Sequence, residues 1–148
     1  MSVGIKVCTL IDAPPARVWE IVEAIERHTD WMADAERITF VTPSTRGVGT
    51  AFDCLTRVGP VRLNDRMTVI EWDAGRSIGI EHRGIVAGAG RFSIAKRRHG
   101  RTRFCWHERL RFPWWMGGFV GERVAKPVLR KLWRGNLERL KDIAETTG

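Results

Sequence analysis

Apolar and polar residues alternate with a period of two over residues 3–11, where Val3, Ile5 and Val7 are separated by Gly4 and Lys6. That period belongs to a half-buried strand. Asp12-Ala13-Pro14-Pro15 interrupts it and marks a helix start, because the first helical turn does not use the N–H that proline lacks. Val18, Ile21, Val22 and Ile25 follow at helical spacing, with Arg17, Glu20, Glu23 and Arg27 on the other side. A second short helix, opened by His28 or Thr29, carries Trp31 and Met32. From residue 36 to 112 the period returns to two, predicting strands over 36–43, 48–58, 61–73, 76–84, 88–98 and 102–112. The turns between them are short, so the strands run antiparallel in series. Beyond Phe112-Pro113 the pattern is helical again. Phe119, Val120, Val124, Val128, Leu132, Leu137, Leu140, Ile143 and Ala144 keep one face apolar for about 28 residues, and Pro127 inside this run predicts a kink or break.

The order is strand, two short helices, six strands and one long helix: an α+β chain with a seven-stranded curved antiparallel sheet. Such a sheet must cover its apolar face, and only the last helix, about 40 Å long at 1.5 Å per residue, can do so. The space between them either fills with side chains or stays open for a ligand. A chain of 148 residues without a linker or repeat reads as one domain over 1–148.

Charge and cysteines add two points. Lys and Arg number 25 against 17 Asp and Glu, a formal charge of +8. Residues 1–90 hold 10 basic and 12 acidic residues, and residues 91–148 hold 15 and 5, so the excess lies in the C-terminal third. It suits either solvent-facing arginines or an anionic partner, nucleic acid or lipid. Cys8, Cys54 and Cys105 are scattered, which predicts free thiols in a reducing compartment. The four histidines show no metal-ligand spacing, so neither a metal nor a cofactor is expected. The first residues, Met1 to Lys6, lack the pattern of a signal peptide, and the expected location is the cytoplasm.

The ordered series IDAPPARVWEIV, HTDWM, GVGTAF, VIEWDAGRSI, GRTRFCW and NLERLKDIAE resembles the helix-grip superfamily, also called SRPBCC or START/Bet v 1-like, and within it the polyketide cyclase/dehydrase-like branch. The resemblance spans residues 3 to 145. It implies a hydrophobic ligand held between sheet and long helix; it transfers a cavity and not a reaction.

Alternation assigns the faces. In 102–112 the odd positions include Arg103, Arg109 and Arg111, so Phe104, Trp106, Glu108, Leu110 and Phe112 point inward. The same test turns Phe92 and Ile94, then Ile78, Ile80 and His82, then Leu63, Asp65, Met67 and Val69, and finally Phe52, Cys54 and Thr56 inward. Ile70 and Trp72 blur the contrast in 61–73. Candidate ligand contacts are Phe52, Asp65, Met67, Ile80, Phe92, Phe104, Trp106, Leu110 and Phe112 from the sheet. Trp115, Phe119 and Val124 join them from the segment that closes over it. Glu108, His82 and Asp65 are the ionisable exceptions on an apolar wall. Glu108 and His82 are the candidate catalytic pair, as general acid and base, or else they orient an inert ligand; Glu108 can also pair with an arginine of the last helix.

Three functions compete: a carrier or binding module for a polyketide-like, isoprenoid or lipid molecule; a cyclase/dehydratase using Glu108 and His82; and an adaptor for nucleic acid or protein through the basic third. The last lacks any nucleic-acid motif. Pro113-Trp114-Trp115-Met116-Gly117-Gly118 forms either a tip touching anionic membrane, helped by Arg123, Lys126, Arg130, Lys131 and Arg134, or a packed lid. The loop from Gly84 to Gly90 is a second candidate gate.

Overall fold

The computed structural model describes residues 3–146. Strand β1 (Val3–Ile11) leads through Pro14 into helix α1 (Pro15–Val22), whose first turn carries Pro15 as expected. The short helix that follows is a 3-10 turn over Ile25–Asp30. It starts earlier than the sequence pattern suggests, because Ile25 continues the apolar stripe of α1; Trp31 comes just after it and is fully buried. Six strands follow: β2 (Ala35–Phe40), β3 (Ala51–Val58), β4 (Val61–Asp73), β5 (Ser77–Arg83), β6 (Ala87–Lys96) and β7 (Thr102–Arg111). Helix α2 (Gly118–Thr146) closes the chain.

All neighbours in the sheet are antiparallel, in the order β1-β7-β6-β5-β4-β3-β2. The meander from β2 to β7 is therefore completed by β1, which returns to the far edge beside β7. β3 begins three residues later than expected, since Gly47 and Gly49 both take left-handed φ (89° and 93°) and turn the chain before it can pair. Helix α2 runs through Pro127 without interruption. Pro127 lies on the exposed side, where losing one backbone hydrogen bond costs least.

Two expectations are corrected. The strand expected over 88–98 begins at Ala87, so Ala87–Gly90 is not part of a gate loop: it pairs with β5 on one side and β7 on the other, leaving only Gly84–Val86 as the turn. The cysteines are not all free. Cys8 on β1 and Cys105 on β7 are directly opposed in register, with Cα atoms 4.1 Å apart, and are joined by a disulfide; only Cys54 remains a thiol, and it is buried. Their separation of 97 residues hid a pairing that only the β1–β7 register creates.

Core packing divides α2 in two. Toward its C-terminal end Leu137, Leu140 and Ala144 are buried, and the helix packs along β1. They join Ile5, Val7, Ile11, Val18, Val22, Trp31 and Phe104 in one cluster. Toward its N-terminal end Val120, Val124 and Val128 remain exposed. The helix seals one end of the sheet and stands off from it at the other.

Candidate functional site

The space under the N-terminal half of α2 is a cavity of about 440 Å³. Its size is that of a small-molecule site. The inward faces of β3, β4, β5, β6 and β7 form the floor, and Leu129, Trp133, Val124, Ala125 and Val128 of α2 form the roof. The wall is overwhelmingly apolar, and its polar side chains gather in two places.

The first is built by three strands. Asp65 on β4, His82 on β5 and Glu108 on β7 all point inward, and all are buried (7%, 9% and 4% exposed). His82 Nε2 lies 2.8 Å from Glu108 Oε2, and Trp106 donates its indole N–H to Glu108 Oε1 at 3.0 Å. Burial pulls the His82 imidazole down, but the charge and hydrogen bond of Glu108, with the charge of Asp65, outweigh it and raise its pKa above the ordinary histidine value. An N–H at Nε2 donates to Glu108 Oε2. Burial pushes the Asp65 carboxyl up; His82 opposes this and Glu108 adds to it. Asp65 Oδ1 is buried with no hydrogen-bond partner.

The second place is held by α2. Asp34, just before β2, accepts hydrogen bonds from Asn136 (2.7 Å) and from the Trp133 indole (3.4 Å), both on α2. Burial raises its carboxyl too, against those two hydrogen bonds. The Trp106 and Trp133 rings stack at 4.6 Å and 18°, so the two indoles face each other while their N–H groups serve opposite carboxylates. His28 also borders the cavity. Its Nε2–H donates to the Val22 carbonyl at 2.7 Å, and burial lowers its pKa to about 4, so the ring is neutral. Among the described residues no cluster of three or more His, Cys, Asp or Glu side chains is arranged to hold a metal ion.

The sequence matches the family model described as "Polyketide cyclase / dehydrase and lipid transport" over residues 3–145. The chain belongs to this family. No curated protein matches it by sequence. Among solved structures, TTHA0849 from Thermus thermophilus superposes with a TM-score of 0.81 at 14% identity, covering 99% of each chain. The Zhui aromatase/cyclase from Streptomyces sp. R1128 gives 0.77 at 16% identity, covering 98% of this chain and 94% of its own. Ara h 8.0201 gives 0.70 at 12% identity, covering 99% and 100%. At these identities the likeness is one of fold, and the fold is the helix-grip, Bet v 1-like one.

Within this polyketide cyclase/dehydrase family member, Phe52, Asp65, Met67, Ile80, His82, Phe92, Trp106, Glu108, Leu110, Phe112 and Val124 all stand on the cavity wall. Phe104 does not: it is fully buried and packed edge-on against Trp31. Trp115 does not either, since it is 59% exposed in the 3-10 turn Trp114–Met116. The Phe119 side chain lies outside the described residues. Several wall residues escape the sequence pattern, Asp34, His28 and Trp133 among them. Asp34 and His28 sit in non-repeating segments where alternation gives no face. Trp133 follows the pattern of a core residue and is buried like one; its ring edge still borders the cavity. Cys54, inward by alternation, lines the cavity as a thiol whose pKa burial raises to about 11.

Proposed function

We propose that this protein binds a hydrophobic small molecule in the cavity, with the polar end of the ligand against Asp65, His82 and Glu108. One observation carries the reading: a 440 Å³ space with an apolar wall is left beneath a helix that packs tightly elsewhere. Removing apolar surface from water supplies about 25 cal/mol per Å², and a few convergent polar groups fix orientation. Native mass spectrometry of the purified protein, before and after organic extraction, tests it. A lipid-like or polyketide-like mass adduct lost on extraction is expected. Failure to take up any apolar compound from a panel would remove the reading.

A second reading is supported by the buried pair itself. Two titratable groups 2.8 Å apart on a cavity wall can move a proton to and from a bound ligand. In an aldol cyclisation with dehydration, the base takes the proton from carbon beside a carbonyl. That carbon attacks a second carbonyl, forming the C–C bond, and the pair returns the proton to the resulting alkoxide; the base then takes a second proton from the same carbon as the C=C bond forms, and the pair gives it to the departing hydroxyl, which leaves as water. Glu108→Gln abolishing turnover while binding survives would favour the cyclase/dehydratase role. Unchanged turnover would remove Glu108 as the acid or base.

The exposed mouth supports peripheral contact with an anionic membrane. Trp114 (86% exposed) and Trp115 stand beside Val120, Val124 and Val128, next to the basic residues of α2.

A further inference from the structure

We infer that the cavity selects an apolar ligand whose head group donates hydrogen bonds and carries no negative charge, such as an alcohol, phenol or amine, and rejects carboxylate and phosphate heads. This rests on the ligand-binding reading and specifies it.

The acids on the wall are Asp34, Asp65 and Glu108. Its bases are His82, already committed to Glu108, and His28, whose Nε2–H is committed to the Val22 carbonyl. Arg91 borders the cavity, but its side chain is exposed and its guanidinium holds Glu71. Among the described residues, no arginine or lysine of the wall therefore turns its charge inward. An anionic head would enter a desolvated apolar space, meet three carboxyl groups and find no uncommitted cation among the described wall residues. Such burial is strongly unfavourable.

Hydrogen bonding points the same way. A carboxyl group offers about four acceptor positions. Glu108 and Asp34 each receive two donors. Asp65 has one oxygen that is buried and receives none. A buried acceptor without a donor is unfavourable. A ligand hydroxyl or ammonium near the Asp65 carboxyl is favoured, and a ligand carboxylate is not.

The long-range field acts in the opposite sense. At a formal charge of +8 the molecule as a whole attracts anions and repels cations. A preference for an amine over an acid therefore has to come from the wall.

The test is calorimetric titration of the full chain at neutral pH with decanol, decylamine and decanoate, which share one tail. Decanol and decylamine are expected to bind at least about tenfold more tightly than decanoate. In Asp65→Asn the amine-to-acid ratio should shrink by about fivefold or more. Decanoate binding as tightly as decanol would overturn the inference and leave the ligand-binding reading standing. Unchanged ratios in Asp65→Asn would overturn the assignment to Asp65. No binding of any of the three would overturn both readings together.

Discussion

Glu108 and His82 meet at 2.8 Å although their strands are not neighbours, because β6 runs between β7 and β5. The register explains how. Glu108 lies opposite Gly90 of β6, Gly90 lies opposite Ile80 of β5, and His82 is the next inward residue along β5. With no side chain at Gly90, the Glu108 carboxylate folds over β6 and reaches the imidazole.

Filling that gap should break the pair. A Cβ at Gly90 would lie 2.3 Å from Glu108 Oε1 and 2.5 Å from Oε2. The backbone there is not left-handed, so Gly90→Ala tests space alone. The carboxylate must move and lose its contacts with His82 and Trp106. A stability loss of about 2 kcal/mol is expected in urea unfolding, together with a changed His82 titration. A loss under about 0.5 kcal/mol would show that the carboxylate moves aside freely.

The pair also has a pH signature. The folded pKa of His82 is raised, so its contribution to stability is fully present below the unfolded value of about 6.5 and is lost as pH rises through the higher folded value. Glu108→Gln removes the charge that holds the proton. Its cost should be largest below about pH 6.5, on the order of 3 kcal/mol, and should shrink at higher pH. NMR titration of the imidazole Cε1–H should show His82 losing its proton at lower pH in the variant. An unmoved titration would mean that Glu108 does not set the protonation state of His82.

His28 has the opposite sign. Its folded pKa is lowered to about 4, so the unfolded chain binds the proton first and stability falls as pH drops from about 6.5 toward 4. The loss reaches about 3 kcal/mol at full span. Asp34 and Asp65, both raised by burial, act the other way on the acid side. The informative comparison is therefore between the wild type and His28→Gln, which can still donate to the Val22 carbonyl. The acid-side loss should be smaller in the variant by that amount; equal pH slopes would contradict it.

Much of this arrangement is legible in the order of residues alone. Strict alternation in β7 sets Arg103, Arg109 and Arg111 outward and so puts Trp106 and Glu108 on the inner wall. Alternation fails at Trp72, for a reason alternation cannot contain. The register slips between Val69 and Glu71, so Trp72 comes to lie opposite inward-facing Ile78 and packs against Trp19, while Ile70 stays exposed. The closure of β1 onto β7, the disulfide and the Asp34–Asn136 clasp are all contacts across about a hundred residues. Local periodicity carries no information about them. The glycines at 84–90 read as a flexible loop because glycine favours turns; in β6 Gly90 instead leaves room for Glu108.

The disulfide gives a direct chemical prediction. Denatured, unreduced protein should expose one thiol, Cys54, and reduction should raise the count to three. Opening a closed loop of 97 residues should cost about 2–4 kcal/mol in urea unfolding under reducing conditions, mostly through the freed unfolded chain. The Cys8→Ser, Cys105→Ser double variant should match the reduced wild type. Three thiols in the unreduced protein would show that the bond does not form.

At the mouth of the cavity, Trp114 and Trp115 protrude from the 3-10 turn between β7 and α2, and the exposed Val124 and Val128 border both solvent and the cavity. An apolar rim of this kind, flanked by Lys126, Lys131 and Arg134, matches an anionic lipid surface in both hydrophobicity and charge. Each basic residue near such a surface adds about 1 kcal/mol, and the indoles favour the headgroup region. Co-sedimentation with phosphatidylglycerol-containing vesicles should show binding that weakens with salt, and zwitterionic vesicles should bind far less. Trp114→Ser with Trp115→Ser should weaken vesicle binding by about tenfold or more. Because neither tryptophan lines the cavity, decanol binding should be unaffected in the same variant. Vesicle binding that survives loss of both indoles would make the contact one of charge alone, and no binding at low salt would dismiss the membrane.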